Sequence, residues 1–312
     1  MHLSDGFLDP STAILTSAAA AGALGMSVWQ LRRNGLRIDS AGLRPSASAG
    51  KMALVAAGVF AIQAVNFPLS SGVSGHLLGG VAAAALLGPW AGMVVVAAVL
   101  AVQCCLLGDG GISALGANVL NMAVLGAVLG GPVHALSRRG TSATRRTLTV
   151  ALASAAALPL GAIACAAEMH LAGRASFTTT AGEMLPLHLL LAVAEAAFTA
   201  AAVLAVQRSA TWIRDEQPAS KFTAVVLIAT LVATAALVPY SSTLPDTLEA
   251  AVDVAGLAAS EPLLAAAVGD GAFAAAGEWG TAVLPILLGA TLAFAAAWIV
   301  GRSLSNLGRP TS

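Results

Sequence analysis

Residues 76–107 read HLLGGVAAAALLGPWAGMVVVAAVLAVQCCLL, a run without a single Asp, Glu, Lys or Arg. An α-helix rises 1.5 Å per residue, so about 20 apolar residues cross the ~30 Å hydrocarbon core of a bilayer. The run is long enough for a span, but Gly88-Pro89-Trp90 divides it. We therefore predict two helices, 76–89 and 91–107, which form either one broken hairpin or two tilted spans.

The whole chain has the composition of a polytopic membrane protein. Of its 312 residues, 58% are hydrophobic and only 10% are charged, whereas soluble domains carry about 25% charged residues. Further apolar segments complete a set of nine predicted helices: 11–33, 51–66, 115–137, 147–170, 185–207, 222–239 and 280–302. The predicted fold class is therefore all-α and polytopic. The formal net charge of zero indicates no general attraction to nucleic acid.

The basic residues predict the orientation of the chain in the bilayer. With nine helices and the N-terminus outside, 14 of the 15 Lys and Arg residues fall in inside segments, and only Arg174 lies outside. This distribution agrees with the positive-inside rule. We expect a multi-pass protein of the cell (inner) membrane with its C-terminus in the cytoplasm. Residues 1–10 are polar and rich in turn residues, so no cleavable signal peptide is expected.

The first two residues carry three nitrogens that can bind a metal: the Met1 amine, the His2 amide and the His2 ring. Fused chelate rings from consecutive nitrogens favour a planar arrangement. Square-planar nitrogen ligation suits Ni(II) or Cu(II), and low-spin Co(II) can share it, whereas Zn(II) prefers a tetrahedron. A bulky residue at position 2 should also block removal of Met1, so the amine is expected to remain.

A further candidate ligand, His76, follows a glycine-rich loop between the second and third helices. Residues 66–80 read NFPLSSGVSGHLLGG and lie outside in the predicted topology, as the N-terminus does. Gly72 and Gly75 permit backbone conformations that other residues rarely adopt, so the loop can fold inward and present His76 at the start of the third helix. A single histidine there is usually a capping or packing residue. Its pairing with Met1-His2 on one side of the membrane predicts a metal ligand.

Several polar residues lie within or between the predicted helices, and each allows more than one interpretation. Asn118 and Asn121 share a helical face, where they either bind neighbouring helices or support a site. His188 and Glu195 share a face of the seventh helix, as a structural pair, a support for the metal ligands or a proton relay. The segment GDGG at 108–111 is predicted to be a tight turn.

Taken in chain order, these motifs resemble the CbiM/NikM family. The resemblance rests on MHLSDGFL at 1–8, on residues 66–80, on LGPWAG at 87–92, and on GDGG at 108–111 with ALGANV at 114–119. Members of this family are the substrate-binding (S) components of energy-coupling factor (ECF) transporters for cobalt and nickel. The resemblance implies a seven-helix core over residues 1–207, with the N-terminal segment tucked into it. It also implies Met1, His2 and His76 as metal ligands. Candidate supporting residues are Asp5, Asn66, Ser74, Asn118, Asn121, His188 and Glu195.

Residues 222–312 are similar to the two-helix NikN component, fused in line after a cytoplasmic linker, 208–221. The segment PDTLE at 245–249 resembles the PDGLE signature of that component, with Thr247 in place of glycine. The resemblance implies a C-terminal two-helix hairpin with an extracytoplasmic loop. Such fusions favour nickel slightly over cobalt as the transported ion, and no resident cofactor is implied.

The family also implies partners in the bilayer and the cytoplasm: a transmembrane coupling (T) protein and cytoplasmic ATPase subunits on separate chains. Ser17, Ala21 and Gly25 form a stripe of small residues on the first helix, which is a candidate docking face for the coupling protein.

Two other functions remain open at the level of sequence. One is a self-sufficient secondary carrier of metal, coupled to protons through Glu195 and His188. The other is an intramembrane enzyme that works through the same two residues. The sequence contains no Walker A, GxSxG or HExxH motif, so ATP hydrolysis is expected on partner chains and an enzyme has little support.

Overall fold

The computed structural model describes residues 2–34, 48–70, 72–139, 141–208, 220–254, 256, 273 and 277–307. Met1 and most of the predicted linker lie outside these ranges. The elements, in chain order, are α1 (Pro10–Asn34), α2 (Ala49–Gln63), β1 (Phe67–Ser70), β2 (Val73–Gly75), α3 (Gly80–Leu87), α4 (Pro89–Val102), α5 (Leu115–Asn118), α6 (Leu125–Arg138), α7 (Ala143–Leu171), α8 (Phe177–Arg208), α9 (Ser220–Leu237), α10 (Thr247–Val254) and α11 (Gly277–Leu307). A π-helical turn, Gln103–Leu107, extends α4, and a second, Val119–Val124, joins α5 to α6.

The described part of the chain confirms an all-α polytopic membrane protein. Seven helical stretches are long and apolar enough to cross a bilayer: Pro10–Arg33, Pro89–Leu107, Leu115–Ser137, Ala143–Leu171, Phe177–Val206, Lys221–Tyr240 and Trp279–Ser305. Helix α2 is shorter, and α3 has only 8 residues. Each of the nine predicted apolar segments overlaps one of these helices. The structure adds α10 and one antiparallel hairpin, β1–β2, which sequence patterning did not predict.

Helices α3 and α4 form the broken hairpin that was one of the two alternatives for residues 76–107. Gly88 joins them with φ 87° and ψ 158°, a conformation that favours glycine. A Cβ atom on Gly92 would lie 2.6 Å from the Ala84 nitrogen, so the two helices contact each other backbone to backbone. This contact explains why the middle of the run consists of small residues.

The predicted third helix, 76–89, starts later than expected, at Gly80. Gly79 adopts a left-handed conformation with φ 69°, which an α-helix cannot continue through. His76 therefore lies in a loop ahead of the helix, and the expectation of a histidine at a helix start was wrong. The residues 76–79 that form this loop are called the His76 loop below.

The two long C-terminal helices, α9 and α11, pack on α2. Gly301 lies so close to the start of α2 that a Cβ atom on it would be 2.7 Å from the Ala49 Cα. Gly289 faces the ring of the fully buried Phe60 in the same way. Helix α10 lies against α8 and β2, so the C-terminal part of the chain contacts the core at both a helix and a strand.

The contact between Gly289 and Phe60 generates a stability prediction. Gly289→Ala would place a methyl group inside the volume of the Phe60 ring, and overpacking of this kind costs about 1–3 kcal/mol. We expect a lower midpoint of thermal unfolding for the detergent-solubilised protein. Gly182→Ala is the matched control, because a Cβ atom at Gly182 has nothing within 4 Å. Equal midpoints for the two variants would contradict the packing of α11 on α2.

Candidate metal centre

The N-terminal segment is docked onto the core through its main chain. The Leu3 amide donates to Asn118 Oδ1 at 2.8 Å, and Asn118 Nδ2 donates back to the Leu3 carbonyl oxygen at 3.0 Å. The Gly111 amide donates to the same carbonyl at 2.9 Å. Since the Leu3 side chain is fully buried as well, this residue fixes the position of His2 beside it.

Asp5 and Asp9 hold the segment that leads from Leu3 to α1. Asp5 Oδ1 accepts bonds from the Ser113 amide at 2.9 Å and from the Ser113 hydroxyl at 2.6 Å. Asp9 accepts from the amides of Ser11 and Thr12, which are first-turn donors that a helix leaves unpaired. Asp5 therefore supports the fold of the N-terminal segment.

The GDGG segment, predicted only as a tight turn, packs against the N-terminal segment. A Cβ atom on Gly111 would lie 2.6 Å from the Ser4 carbonyl carbon and would overlap the Asp5 nitrogen. Gly110 has φ 89° and faces Asn118. Any side chain at Gly111 would separate the two segments, so this glycine is needed for the close approach of two backbones.

His2 and His76 stack on each other at the centre of this region. Their ring centroids are 5.1 Å apart with an interplanar angle of 18°, and both side chains are buried. His2 Nδ1 lies 3.0 Å from Asp109 Oδ1, whereas His2 Nε2 is buried without a hydrogen-bond partner among the described residues. Sequence analysis predicted the two histidines but missed Asp109, whose only signal was its place within the glycine-rich motif.

The His76 ring presents a nitrogen lone pair. Its Nδ1 donates to the Leu77 carbonyl oxygen at 3.1 Å, which leaves the lone pair on Nε2. Burial lowers the pKa of His76 to about 3, so the ring is neutral at physiological pH. A neutral imidazole is the form that binds a metal ion.

Glu195 holds the His76 loop in place from α8. Its two carboxylate oxygens accept the amides of Leu78 and Gly79 at 2.9 and 3.0 Å. Gln63 Nε2 donates to the Leu78 carbonyl oxygen at 2.6 Å from α2. Glu195 thus contacts the backbone of the loop that carries the candidate ligand, and its support of a metal ligand stays a prediction.

His188 lies on the same face of α8 but contacts the C-terminal part of the chain. Its Nδ1 donates to the Met184 carbonyl oxygen at 2.8 Å, and its Nε2 lies 3.5 Å from Thr247 Oγ1. Thr247 is the residue that replaces glycine in the PDGLE-like signature. The substitution therefore lies where the C-terminal part of the chain meets the core.

Ser74 and Asn66 also bind the C-terminal part of the chain. The Ser74 amide donates to the Pro245 carbonyl oxygen at 2.8 Å, and its hydroxyl donates to the Leu244 carbonyl oxygen at 2.7 Å. The Asn66 amide donates to the Ser241 hydroxyl at 2.8 Å. Both residues were predicted to support the metal ligands, which stays a prediction; Ser74 lies two residues before His76.

The PDTLE segment forms a capping box at the start of α10. Asp246 Oδ1 accepts the amides of Leu248 and Glu249 at 2.8 and 2.9 Å, and the Asp246 amide donates to Glu249 Oε2 at 2.7 Å. This reciprocal arrangement satisfies the first-turn donors of the helix. Leu248 is fully buried, so the capped helix is anchored to the core by an apolar side chain.

Asn121 binds Glu168 on α7. Its Nδ2 donates to Glu168 Oε2 at 2.7 Å, and both residues are buried. The interpretation as a contact between helices therefore holds for Asn121, whereas Asn118 binds the N-terminal segment. Sequence analysis did not single out Glu168, because an acidic residue near the predicted end of a helix carries no distinctive pattern.

The described side chains alone do not form a metal cluster. Within the described ranges, no group of three or more His, Cys, Asp or Glu residues could hold an ion. A metal at His2 and His76 would therefore also need main-chain nitrogens. Only Nδ1 of His2 can reach an ion that the residue's own amide binds. Because Nδ1 faces Asp109, such chelation requires the ring or the carboxylate to turn.

Comparison with known proteins relates the chain to metal transporters. A family model described as "Cobalt uptake substrate-specific transmembrane region" matches residues 2–212. An Archaeoglobus fulgidus chain assigned as a fused nickel transport protein NikMN is 33% identical, over 82% of this chain and 83% of its own length. The fused nickel transport protein NikMN of Rhodobacter capsulatus is 39% identical over 54% of this chain and 46% of its own. The crystal structure of a transition metal transporter superposes with a TM-score of 0.53 and 27% identity, covering 67% of this chain and 93% of that one.

The close approach at Gly111 can be tested by amide hydrogen exchange. Gly111→Ala should force the N-terminal segment off the loop, so the Leu3 and Asp5 amides should exchange at least about tenfold faster, equivalent to about 1.4 kcal/mol of lost docking. Mass spectrometry of the N-terminal peptide measures this rate. Gly182→Ala should leave it unchanged, and equal exchange in both variants would rule out the docked segment.

Proposed function

The chain belongs to the CbiM family, and we propose that it captures Ni²⁺ or Co²⁺ as the substrate-binding component of an ECF importer. In general terms, the chain is a multi-pass membrane component of cobalt or nickel transport. The observation that carries the proposal is the buried stack of His2 on His76, held beside the docked main chain of Leu3. Imidazole nitrogens are common ligands for divalent transition metals, and the stack brings two of these rings together beside the His2 main chain.

The proposed ligands are four nitrogens: the Met1 amine, the His2 amide, His2 Nδ1 and His76 Nε2. Met1 lies outside the described residues, and the proposal takes it as the free N-terminus. Docking of Leu3 supports this set, because it places the His2 main chain and ring beside His76. Four nitrogens of this kind suit a square-planar ion, which favours Ni²⁺ or low-spin Co²⁺ over Zn²⁺. We place nickel slightly ahead of cobalt as the transported ion, since two fused relatives are named as nickel transport proteins.

The proposed orientation has the N-terminus outside and the C-terminus in the cytoplasm of a cell (inner) membrane. The ion then binds from outside, and partner ATPases acting through a coupling protein drive its release inward. The stripe of Ser17, Ala21 and Gly25 on α1 is exposed, and a Cβ atom at Gly25 has nothing within 4 Å. This exposure supports the stripe as a docking face for the coupling protein.

We assign the C-terminal unit, residues 222–312 after the linker 208–221, the task of holding the segment that leads into the His76 loop. Ser74 bonds to two carbonyl groups of this unit, and the main-chain amide of Asn66, just before β1, donates to the Ser241 hydroxyl. Thr247 meets His188 on α8. These contacts tie the unit to the β1–β2 hairpin, which precedes His76, and to α8, which carries Glu195.

The rival proton-coupled carrier has less support than the importer. It needs Glu195 and His188 to exchange protons during transport. Both Glu195 oxygens accept main-chain amides, and His188 Nδ1 donates to a main-chain carbonyl. Bonds of this kind hold backbone in place, so the geometry favours structural roles for both residues.

The chelate is tested by leaving a histidine-free tag joined to Met1. The tag keeps every side chain but converts the Met1 amine into a peptide amide, so high-affinity Ni²⁺ binding should be lost. Isothermal titration of the purified protein measures binding, after intact mass has confirmed a free, retained Met1 in the untagged protein. The control carries the same tag at the C-terminus. Unchanged affinity in the N-terminally tagged protein would overturn the proposed ligand set.

Glu195→Gln separates the importer from the carrier. The amide group keeps one acceptor oxygen but faces the second main-chain amide with a donor, which costs about 1–3 kcal/mol. This unfavourable contact should shift the His76 loop, so Ni²⁺ binding in detergent should weaken by about tenfold, equivalent to 1.4 kcal/mol. Glu183→Gln, an exposed carboxylate on the same helix, should bind normally. Normal binding by Glu195→Gln with abolished uptake would instead favour the proton-coupled carrier.

A further inference from the structure

An apolar groove separates the C-terminal helix α9 from the core, away from the metal site. Its walls come from α2, α3, α8 and α9, and the cavity between them has a volume of about 280 Å³. None of the residues that line it is charged. Thr230 is the one with a polar side chain, and its hydroxyl donates to the Val226 carbonyl oxygen within α9. The groove therefore offers apolar contact and no free hydrogen-bonding side chain along its walls.

The length of the groove matches one leaflet of a bilayer. On α8 its lining runs from Phe198 to Val206, and on α9 from Phe222 to Thr230. Eight residues of helix rise about 12 Å, close to half of the ~30 Å hydrocarbon core. A partner helix that crosses the membrane would need a groove about twice as long. The dimensions thus favour a lipid acyl chain over a transmembrane helix.

Basic residues lie at one end of this groove. Arg208 follows Val206 by two residues on α8, and Lys221 immediately precedes Phe222 on α9. Both side chains are exposed. A pair of cations at the mouth of an apolar groove complements a phosphate at the end of an acyl chain, and each basic residue near an anionic lipid surface favours binding.

We propose that this groove binds one acyl chain of an anionic phospholipid, whose phosphate lies between Arg208 and Lys221. The lipid fills the space between α8 and α9 and joins the C-terminal unit to the core in the leaflet on the basic side of the protein. This site does not depend on the metal ligands. Its presence or absence is therefore independent of the transport function proposed above.

Native mass spectrometry of the full-length protein tests the site. The protein is released from detergent that contains equal amounts of phosphatidylglycerol and phosphatidylcholine with the same acyl chains. Wild type should retain one phosphatidylglycerol in preference to phosphatidylcholine. The Gly58→Leu variant should retain at most about one-tenth of the wild-type amount of this adduct. A Cβ atom at Gly58 has nothing within 4 Å, so a leucine side chain there would extend into the groove. Gly182→Leu, on the exposed face of α8, is the matched control and should retain the lipid.

Two further variants keep the test decisive. Ala202→Leu fills the groove from α8 and should repeat the loss if Gly58→Leu does not fold. Arg208→Gln with Lys221→Gln leaves the groove intact and should reduce the preference for phosphatidylglycerol by roughly 30-fold, the factor for two basic residues at an anionic surface. A retained adduct in the filled variants, or an unchanged preference in the charge variant, would overturn the proposal. So would loss of a bound protein partner from Gly58→Leu with the lipid adduct unaffected.

Discussion

The paired hydrogen bonds between the Leu3 main chain and the Asn118 side chain are the interaction on which the proposed metal centre depends. The first residues of a chain are usually poorly ordered, because few contacts offset their conformational entropy. Here three hydrogen bonds, each contributing about 0.5–1.5 kcal/mol, act together with the burial of Leu3, which contributes about 1.5–3 kcal/mol. Together these terms are similar in size to the conformational entropy lost when two residues are ordered. The position of His2 follows directly from this docking. Gly111 permits the docking because it has no side chain.

The other half of the centre is fixed by parts of the chain that are distant in sequence. Glu195 binds the amides of the His76 loop from α8, and Ser74, two residues before His76, binds the C-terminal part of the chain. The backbone on both sides of His76 is thus held before any ion arrives. A preorganised ligand loses less freedom on binding, which strengthens the complex without further contacts. On the proposed function, this is a physical reason for fusing the C-terminal unit to the core in one chain.

The helices could be predicted from composition, because a membrane requires long apolar segments and main-chain groups that are satisfied within each helix. The metal ligands could be proposed because His2 and His76 lie in distinctive motifs on one predicted side. The start of α3 could not be predicted, since it depends on Glu195, more than a hundred residues away. The role of Gly111 was missed for the same reason: the backbone that it approaches belongs to Ser4 and Asp5. Local patterns thus located the elements, whereas contacts between distant segments determined the loop geometry.

Asp109 shows how the opposing effects at such a centre balance. Its carboxylate lies 3.0 Å from His2 Nδ1 and so competes with an ion for that nitrogen. Giving up a hydrogen bond to a charged group costs about 1.5–3 kcal/mol. A divalent ion bound at this centre would be attracted by the same carboxylate, because unlike charges attract strongly where little water screens them. On the proposed ligand set, Asp109 therefore exchanges its hydrogen bond to His2 for attraction to the ion. The carboxylate would then act by attracting the cation, while the nitrogens, through their planar arrangement, select which cation stays.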